Sequence, residues 1–258
     1  MTNFDFLQKI EQLQIGIMHG DSRSFSFGTY FLGIEDHSAF WSHLLTNQNL
    51  TDSHIQEVIN YSETENIKPA VYFENRNDLV SLKTTLGRNG FNKIAEDSWM
   101  FCSKPISYQS NFNMVKKINT PDDLKIYIDT FNRCYQKNDP QNVYGELGDY
   151  LKSTARAWLA RHTSDYIQYF LVFDNQEPVA VSALTNCCGI GYISNVGSLP
   201  SVRGKGFGKT ATLFAIYQSQ KNGNEIHCLA TEEGTYPNEF YKRLGFKTKF
   251  TALLYEKK

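Results

Sequence analysis

Pro200-Ser-Val-Arg203-Gly204-Lys205-Gly206-Phe207-Gly208-Lys209-Thr210 decides the reading of this chain. It lies between an apolar run at 190–196, whose spacing predicts a strand, and a stretch to about 222 that predicts a helix. Three glycines within five residues let the backbone turn tightly and bring its amides close to a ligand. A helix that begins here has several N–H groups without a backbone partner, and its positive end favours phosphate oxygens. Arg203, Lys205 and Lys209 add positive charge beside those amides. The spacing is neither that of a Walker A loop nor GxGxxG, so neither nucleotide motif is present.

Working outward from the loop, the second half predicts strands at 114–118, 166–173, 179–185, 190–196, 225–230 and 248–256. Helices are expected from Thr120, with Pro121 at its first position, and at 148–160, 207–222 and 237–244. The order is βααβββαβαβ, and the helix after the glycine loop implies a parallel strand pair.

The first half predicts a helix near 4–13, strand-like runs at 24–34 and 39–45, and a helix from Thr51 to about 64. A strand at 69–74, a helix capped by Asp78 and a strand at 94–103 follow. The polar stretch 105–113 reads as a linker. Ala70-Val-Tyr-Phe73 with Leu82 to Gly90-Phe91 parallels Ile226-His-Cys-Leu229 with Phe240 to Gly245-Phe246, which suggests an internal duplication. The expected boundaries are 1–108 and 112–258.

Composition narrows the function classes. The 258 residues are 41% hydrophobic, with 18 Phe and 15 Tyr, as in folded chains. A net charge of -1, from 26 basic and 27 acidic residues, leaves no basic footprint for nucleic acid. No run is apolar and long enough to span a membrane, and no leader pattern opens the chain. Cys102, Cys134, Cys187, Cys188 and Cys228 form no CxxC pair, so the expectation is reduced core thiols in a cytoplasmic protein, with no disulfide framework and no metal.

Arg203-Gly-Lys-Gly206-Phe-Gly208 resembles the coenzyme-A pyrophosphate loop of the GNAT N-acetyltransferase superfamily: Arg or Gln, two residues, Gly, one residue, Gly or Ala. Asn238-Glu-Phe-Tyr241-Lys-Arg-Leu-Gly245-Phe246 is similar to the family's N-x-x-Y-x-x-x-G-F segment, in the expected order. The resemblance covers about 113–258. It implies the α/β (α+β) GNAT fold, a mixed central sheet flanked by helices, and the duplication extends this to two tandem GNAT-like units. It also implies acetyl-CoA as co-substrate and direct acetyl transfer to an amine; the two-part layout and near-neutral charge point to a small-molecule or amino-acid-like acceptor.

By this resemblance, amides from Arg203, Gly204, Lys205, Gly206, Phe207 and Gly208, with Lys209 and Thr210, hold the pyrophosphate. Val196, Gly197, Ser198 and Leu199 pair with the pantetheine arm, and Asn238 bonds it. Tyr241 gives a proton to the departing thiolate. Glu232 is the expected base for the amine, with Glu233 and Glu146 as alternatives. His227 and Cys228 read as core. The first half matches Tyr241 with Leu86 and has no glycine loop before Thr51, so it reads as a degenerate unit without cofactor loop or acid. Its expected place is a partner surface or one wall of an acceptor cleft. The expected assembly is a monomer or homodimer. Two other readings stand beside this one: a non-catalytic acyl-CoA-binding or regulatory module, and a protein N-acetyltransferase.

Overall fold

The computed structural model describes residues 1–139, 141–142 and 145–258. The chain divides into two compact units, Met1–Trp99 with Lys249–Lys258, and Met100–Thr248.

The first unit opens with helix α1 (Asn3–Leu13), started by Thr2 and Asp5 in a reciprocal capping box. Strands β1 (His19–Phe25) and β2 (Gly28–Gly33) form an antiparallel hairpin. The sequence predicts one run over 24–34, because the turn at Ser26-Phe27 carries neither Asn-Gly nor Pro. Strand β3 (His43–Leu45), helix α2 (Asp52–Thr64), strand β4 (Ala70–Glu74), helix α3 (Val80–Arg88) and strand β5 (Phe91–Phe101) follow. Asp78 does not cap α3. It lies in a short 3-10 turn and pairs instead with Arg76 at 3.0 Å.

The strand order in this unit is β1-β2-β3-β4-β11-β5, in which β11 is Lys247–Lys257 from the far end of the chain. Five antiparallel pairs, from Ala252↔Glu74 to Glu256↔Ala70, seat β11 on β4. Leu253 enters a core with Val71, Phe73, Ile55, Val58, Leu82 and Leu86. The sequence boundary at 108/112 assigns all of 112–258 to the second unit. Periodicity identified the strand but carries no information about which edge it joins.

A buried polar group ties α1 to the hairpin region. Glu11 meets His19 Nε2 at 2.6 Å and His43 Nε2 at 3.6 Å. The Nδ1 atoms of these histidines face the carbonyls of Trp41 and Ala39, each at 3.0 Å. Burial alone would raise the Glu11 carboxyl, but the bonds and charges of the two histidines hold it down, to about 2.

The second unit follows the predicted order. It holds β6 (Val115–Lys117), α4 (Pro121–Cys134), α5 (Tyr150–Arg161), β7 (Ile167–Asp174), β8 (Glu177–Cys187), β9 (Ile190–Ser198), α6 (Phe207–Lys221), β10 (Ile226–Glu232) and α7 (Tyr236–Arg243). Thr120 caps α4, with its hydroxyl accepting from Asp123 N at 3.1 Å. The strand order is β10-β9-β8-β7-β6, antiparallel except for the parallel β9–β10 pair. The stretch read as a linker packs instead onto this unit: Phe112 is buried, and Asn111 donates to Thr210 Oγ1 at 2.7 Å.

Small residues bring α6 close to the sheet. Ala211, Thr212, Ala215 and Ser219 are fully buried, and Ser182 Oγ donates to Ala211 O at 3.0 Å. A Cβ on Gly191 would stand 1.8 Å from Ser219 Oγ, so only glycine fits that crossing. Among the described residues, no helix is long and apolar enough to cross a membrane.

Candidate functional site

Strands β9 and β10 start as neighbours and then part. Their parallel ladder is Ile226↔Ile190, His227↔Gly191 and Cys228↔Tyr192, yet β9 continues to Ser198 and β10 to Glu232. The cause is an irregularity in β9. Between the pairs Ala183↔Ser194 and Val181↔Gly197, β8 advances two residues while β9 advances three. One residue is therefore extra, and such a bulge bends and twists the strand that carries it. Asn195 lies within it at φ 54°, a left-handed backbone that asparagine tolerates better than most residues.

Two tyrosines hold the bulge. Tyr150 OH donates to Asn195 Oδ1 at 2.6 Å, and Tyr135 OH donates to Val196 O at 2.8 Å. Neither tyrosine is singled out by the sequence, whereas Asn195-Val-Gly-Ser-Leu-Pro200 resembles the family's fourth strand and its splayed end. The signal available was Tyr127, Phe131 and Tyr135 at four-residue steps, which reads equally well as a helix core face. Beyond the bulge, Leu199 N donates to Val179 O at 2.9 Å, and Gly197 pairs with Val181. By strand alternation the amide and carbonyl of Ser198 then face away from β8, toward the gap. Of the four strand residues predicted to pair with an extended arm, Ser198 is the best placed. Leu199 has its amide committed to β8, and Val196 has its carbonyl engaged by Tyr135.

The chain next enters a short 3-10 turn, Pro200–Val202, and then the glycine loop. Gly204 has φ 79° and Gly206 φ 92°, conformations that cost a side-chain-bearing residue about 1–2 kcal/mol. Gly206 is the N-cap of α6 and supplies no side-chain cap. The first amide in the helical ladder is that of Thr210, which donates to Gly206 O at 2.9 Å. Among the described residues, no hydrogen bond takes the amides of Gly204, Gly206, Phe207, Gly208 and Lys209.

The predicted donor set is corrected accordingly. Thr210 is removed because its amide closes the first helical turn. Lys205 N donates to Val202 O at 3.2 Å, and Arg203 N approaches Pro200 O at 3.4 Å. The Arg203 side chain is also committed. It meets both oxygens of Asp139 at 2.6 Å and donates to Cys134 O at 3.3 Å. That guanidinium holds the Asp139 carboxyl below its usual range. Arg203 thus braces the loop, while Lys205 and Lys209 remain exposed beside the open amides.

Helix α7 brings Asn238 and Tyr241 to this unit's core. Asn238 is fully buried; its Nδ2 lies 3.5 Å from Met100 Sδ, and among the described residues its Oδ1 has no hydrogen-bond partner. An amide oxygen so placed is costly unless something donates to it. Tyr241 is 8% exposed and packs edge-on to Phe240 and Phe246, with ring centroids at 5.1 and 5.6 Å.

The carboxylates differ in setting. Glu232 ends β10 and is half-buried, its carbonyl accepting from Thr235 Oγ1 at 2.6 Å. Glu233 is exposed and faces Lys242 at 3.7 Å, and Glu146 is exposed. His227 is core: its Nδ1 lies 2.8 Å from Ser219 Oγ, and burial lowers its pKa. Burial raises the Cys228 thiol far above the range of a reactive nucleophile.

The first unit provides a contrast. There the parallel ladder Leu44↔Val71 and Leu45↔Tyr72 is extended by Thr46 N donating to Tyr72 O at 3.1 Å. The start of α2 is closed by its own side chains, with His54 N donating to Thr51 Oγ1 at 3.2 Å and Thr51 N to His54 Nδ1 at 3.4 Å. Two of the equivalent amides, those of the N-cap and third helical positions, are thus consumed internally.

The acetyltransferase (GNAT) family model matches residues 125–246. No curated protein matches the chain. A GCN5-related N-acetyltransferase from Kribbella flavida superposes with a TM-score of 0.66 at 16% identity, over 96% of this chain and 94% of that one. Another from Sphaerobacter thermophilus gives 0.62 at 12% identity, over 97% and 84%. A tandem GNAT protein from the clavulanic acid biosynthesis pathway gives 0.58 at 10% identity, over 99% and 87%. At these identities the likeness speaks for the fold, and it spans both units. Residues 125–246 are a domain of the acetyltransferase (GNAT) family, and the first unit shares the fold of tandem GNAT proteins by structural resemblance.

Proposed function

We propose that the second unit transfers an acetyl group from acetyl-CoA to the amine of a small-molecule or amino-acid-like acceptor, by direct transfer. The observation that carries this reading is the parted β9–β10 pair leading into a helix start whose first amides are open. Such amides suit a diphosphate. The gap suits an extended arm that pairs with Ser198, and the orphaned Oδ1 of buried Asn238 suits an amide donor on that arm. The residues present therefore fit acetyl-CoA, which supplies an activated acetyl thioester.

The remaining chemistry falls to the chain. An alkylammonium, pKa about 10.4, must lose a proton before it attacks. Glu232, at the end of β10, is the group we assign to accept it, directly or through water. Tyr241 is assigned to hold the proton that the departing sulfur needs; a positioned acid of this kind contributes about 10²–10⁴-fold.

The test is thiol release from acetyl-CoA with a panel of amines. Turnover with at least one amine is expected. Tyr241→Phe is expected to lower kcat by about a hundredfold or more while leaving acetyl-CoA binding close to wild type. Binding of acetyl-CoA without turnover on any amine would instead favour a non-catalytic acyl-CoA module. Failure to bind it would end both readings.

A further inference from the structure

We propose that Cys187 and Cys188 form a modification site, a vicinal dithiol that hydroperoxides oxidise reversibly to a disulfide. The pair sits where β8 turns into β9: Cys187 is paired with Ile190, and Cys188-Gly189 make the two-residue turn. The two sulfurs stand 2.9 Å apart, and a disulfide needs about 2.05 Å.

Accessibility singles this pair out. Cys188 is exposed and Cys187 half-buried, whereas Cys102, Cys134 and Cys228 are buried. Burial also pushes those three thiols up, Cys134 to about 12, and a thiol held protonated is a poor nucleophile. The expectation of five core thiols therefore fails at the hairpin tip, because a two-residue turn at the sheet end has no layer above it.

Backbone conformation is a second, independent observation. Cys188 has φ 55° and Gly189 φ 76°, the signature of a turn that favours Asn or Gly at its first position. A cysteine there is held in strain that those residues would relieve, and strained positions cluster where a group has a task.

The step balances without any group the chain lacks other than the hydroperoxide. One thiolate sulfur attacks the peroxide oxygen, the O–O bond breaks, and an alcohol and a sulfenic acid result. The neighbouring thiol then attacks that sulfur; the S–S bond forms and the hydroxyl leaves as water. Two thiols lose two hydrogens, and the hydroperoxide is reduced to alcohol and water. Adjacent residues hold their Cα atoms about 3.8 Å apart, closer than the usual disulfide range of about 4.4–6.8 Å. The closed ring is therefore strained, which places it with labile, reducible disulfides.

This inference is independent of acetyl transfer. The test treats the full chain with tert-butyl hydroperoxide, alkylates remaining thiols under native conditions, and maps peptides without reduction. The expected product is a peptide containing both residues, unalkylated and lighter by two hydrogens, and restored to two alkylatable thiols by dithiothreitol. Cys188→Ser, checked for folding by circular dichroism, should abolish that product. Phenylarsine oxide, which bridges two close thiols with loss of water, should bind the native chain once and the Cys188→Ser chain not at all. Alkylation of both residues after peroxide, a covalent dimer on a non-reducing gel, or no arsenical binding to the native chain would each overturn the proposal.

Discussion

Asn238 is under two opposing demands. Its Oδ1 is buried without a donor among the described residues, which costs about 1–3 kcal/mol. The same atom is what a passing amide on the cofactor arm would satisfy. Leucine has a similar shape and no polar atoms, so Asn238→Leu is expected to raise the thermal midpoint while weakening acetyl-CoA binding by about tenfold. Calorimetric unfolding and titration on the same variant separate the two. A variant that is both less stable and unchanged in affinity would remove Asn238 from the site. The sequence placed this residue in its motif, but the orphaned oxygen is visible only in three dimensions. The splay after Asn195 is legible through the family resemblance, but the unmatched residue behind it and the two phenols that hold it are not. A bulge is one unmatched residue between strands, and a linear pattern records only one of the strands.

At the scale of elements, legibility followed local physics. The helices from Thr51 and Thr120 were readable because a side-chain cap next to an amphipathic run is a short-range signal. Asp78 misled because an aspartate ahead of a helix can equally serve a neighbouring arginine. The Glu11 tie between α1 and the segment around His19 and His43 was illegible, since its members are brought together only by folding. It gives the first unit an acid limit. The Glu11 carboxyl is depressed from an ordinary 4.5 to about 2, so its contribution is complete above pH 4.5 and is lost as pH falls through that interval. Glu11→Gln leaves two buried imidazoles without their carboxylate and is expected to cost about 3–5 kcal/mol near neutrality. Its stability should also change less between pH 4.5 and about 2 than that of wild type. Urea midpoints measured across that range decide the matter; parallel acid limbs in the two proteins would count against the tie.

For the whole molecule, the consequential element is β11. A chain ending at Thr248 would retain every residue of the second unit but lose the strand that pairs with Ala70–Glu74 and carries Leu253 into the first core. The expectation is loss of hydrogen-exchange protection at the β4 amides and rapid proteolysis within 1–99, with much smaller changes at β7–β9. Equal loss in both units would refute this partition. The order of synthesis gives the arrangement a further meaning. Residues 1–99 leave the ribosome with a slot between β4 and β5 that no nearby segment fills, and the strand that fills it emerges only after the second unit has been translated. The unit made first is completed last, so during translation its exposed β4 edge is open to nascent-chain chaperones, or to the same strand from a neighbouring polysome product.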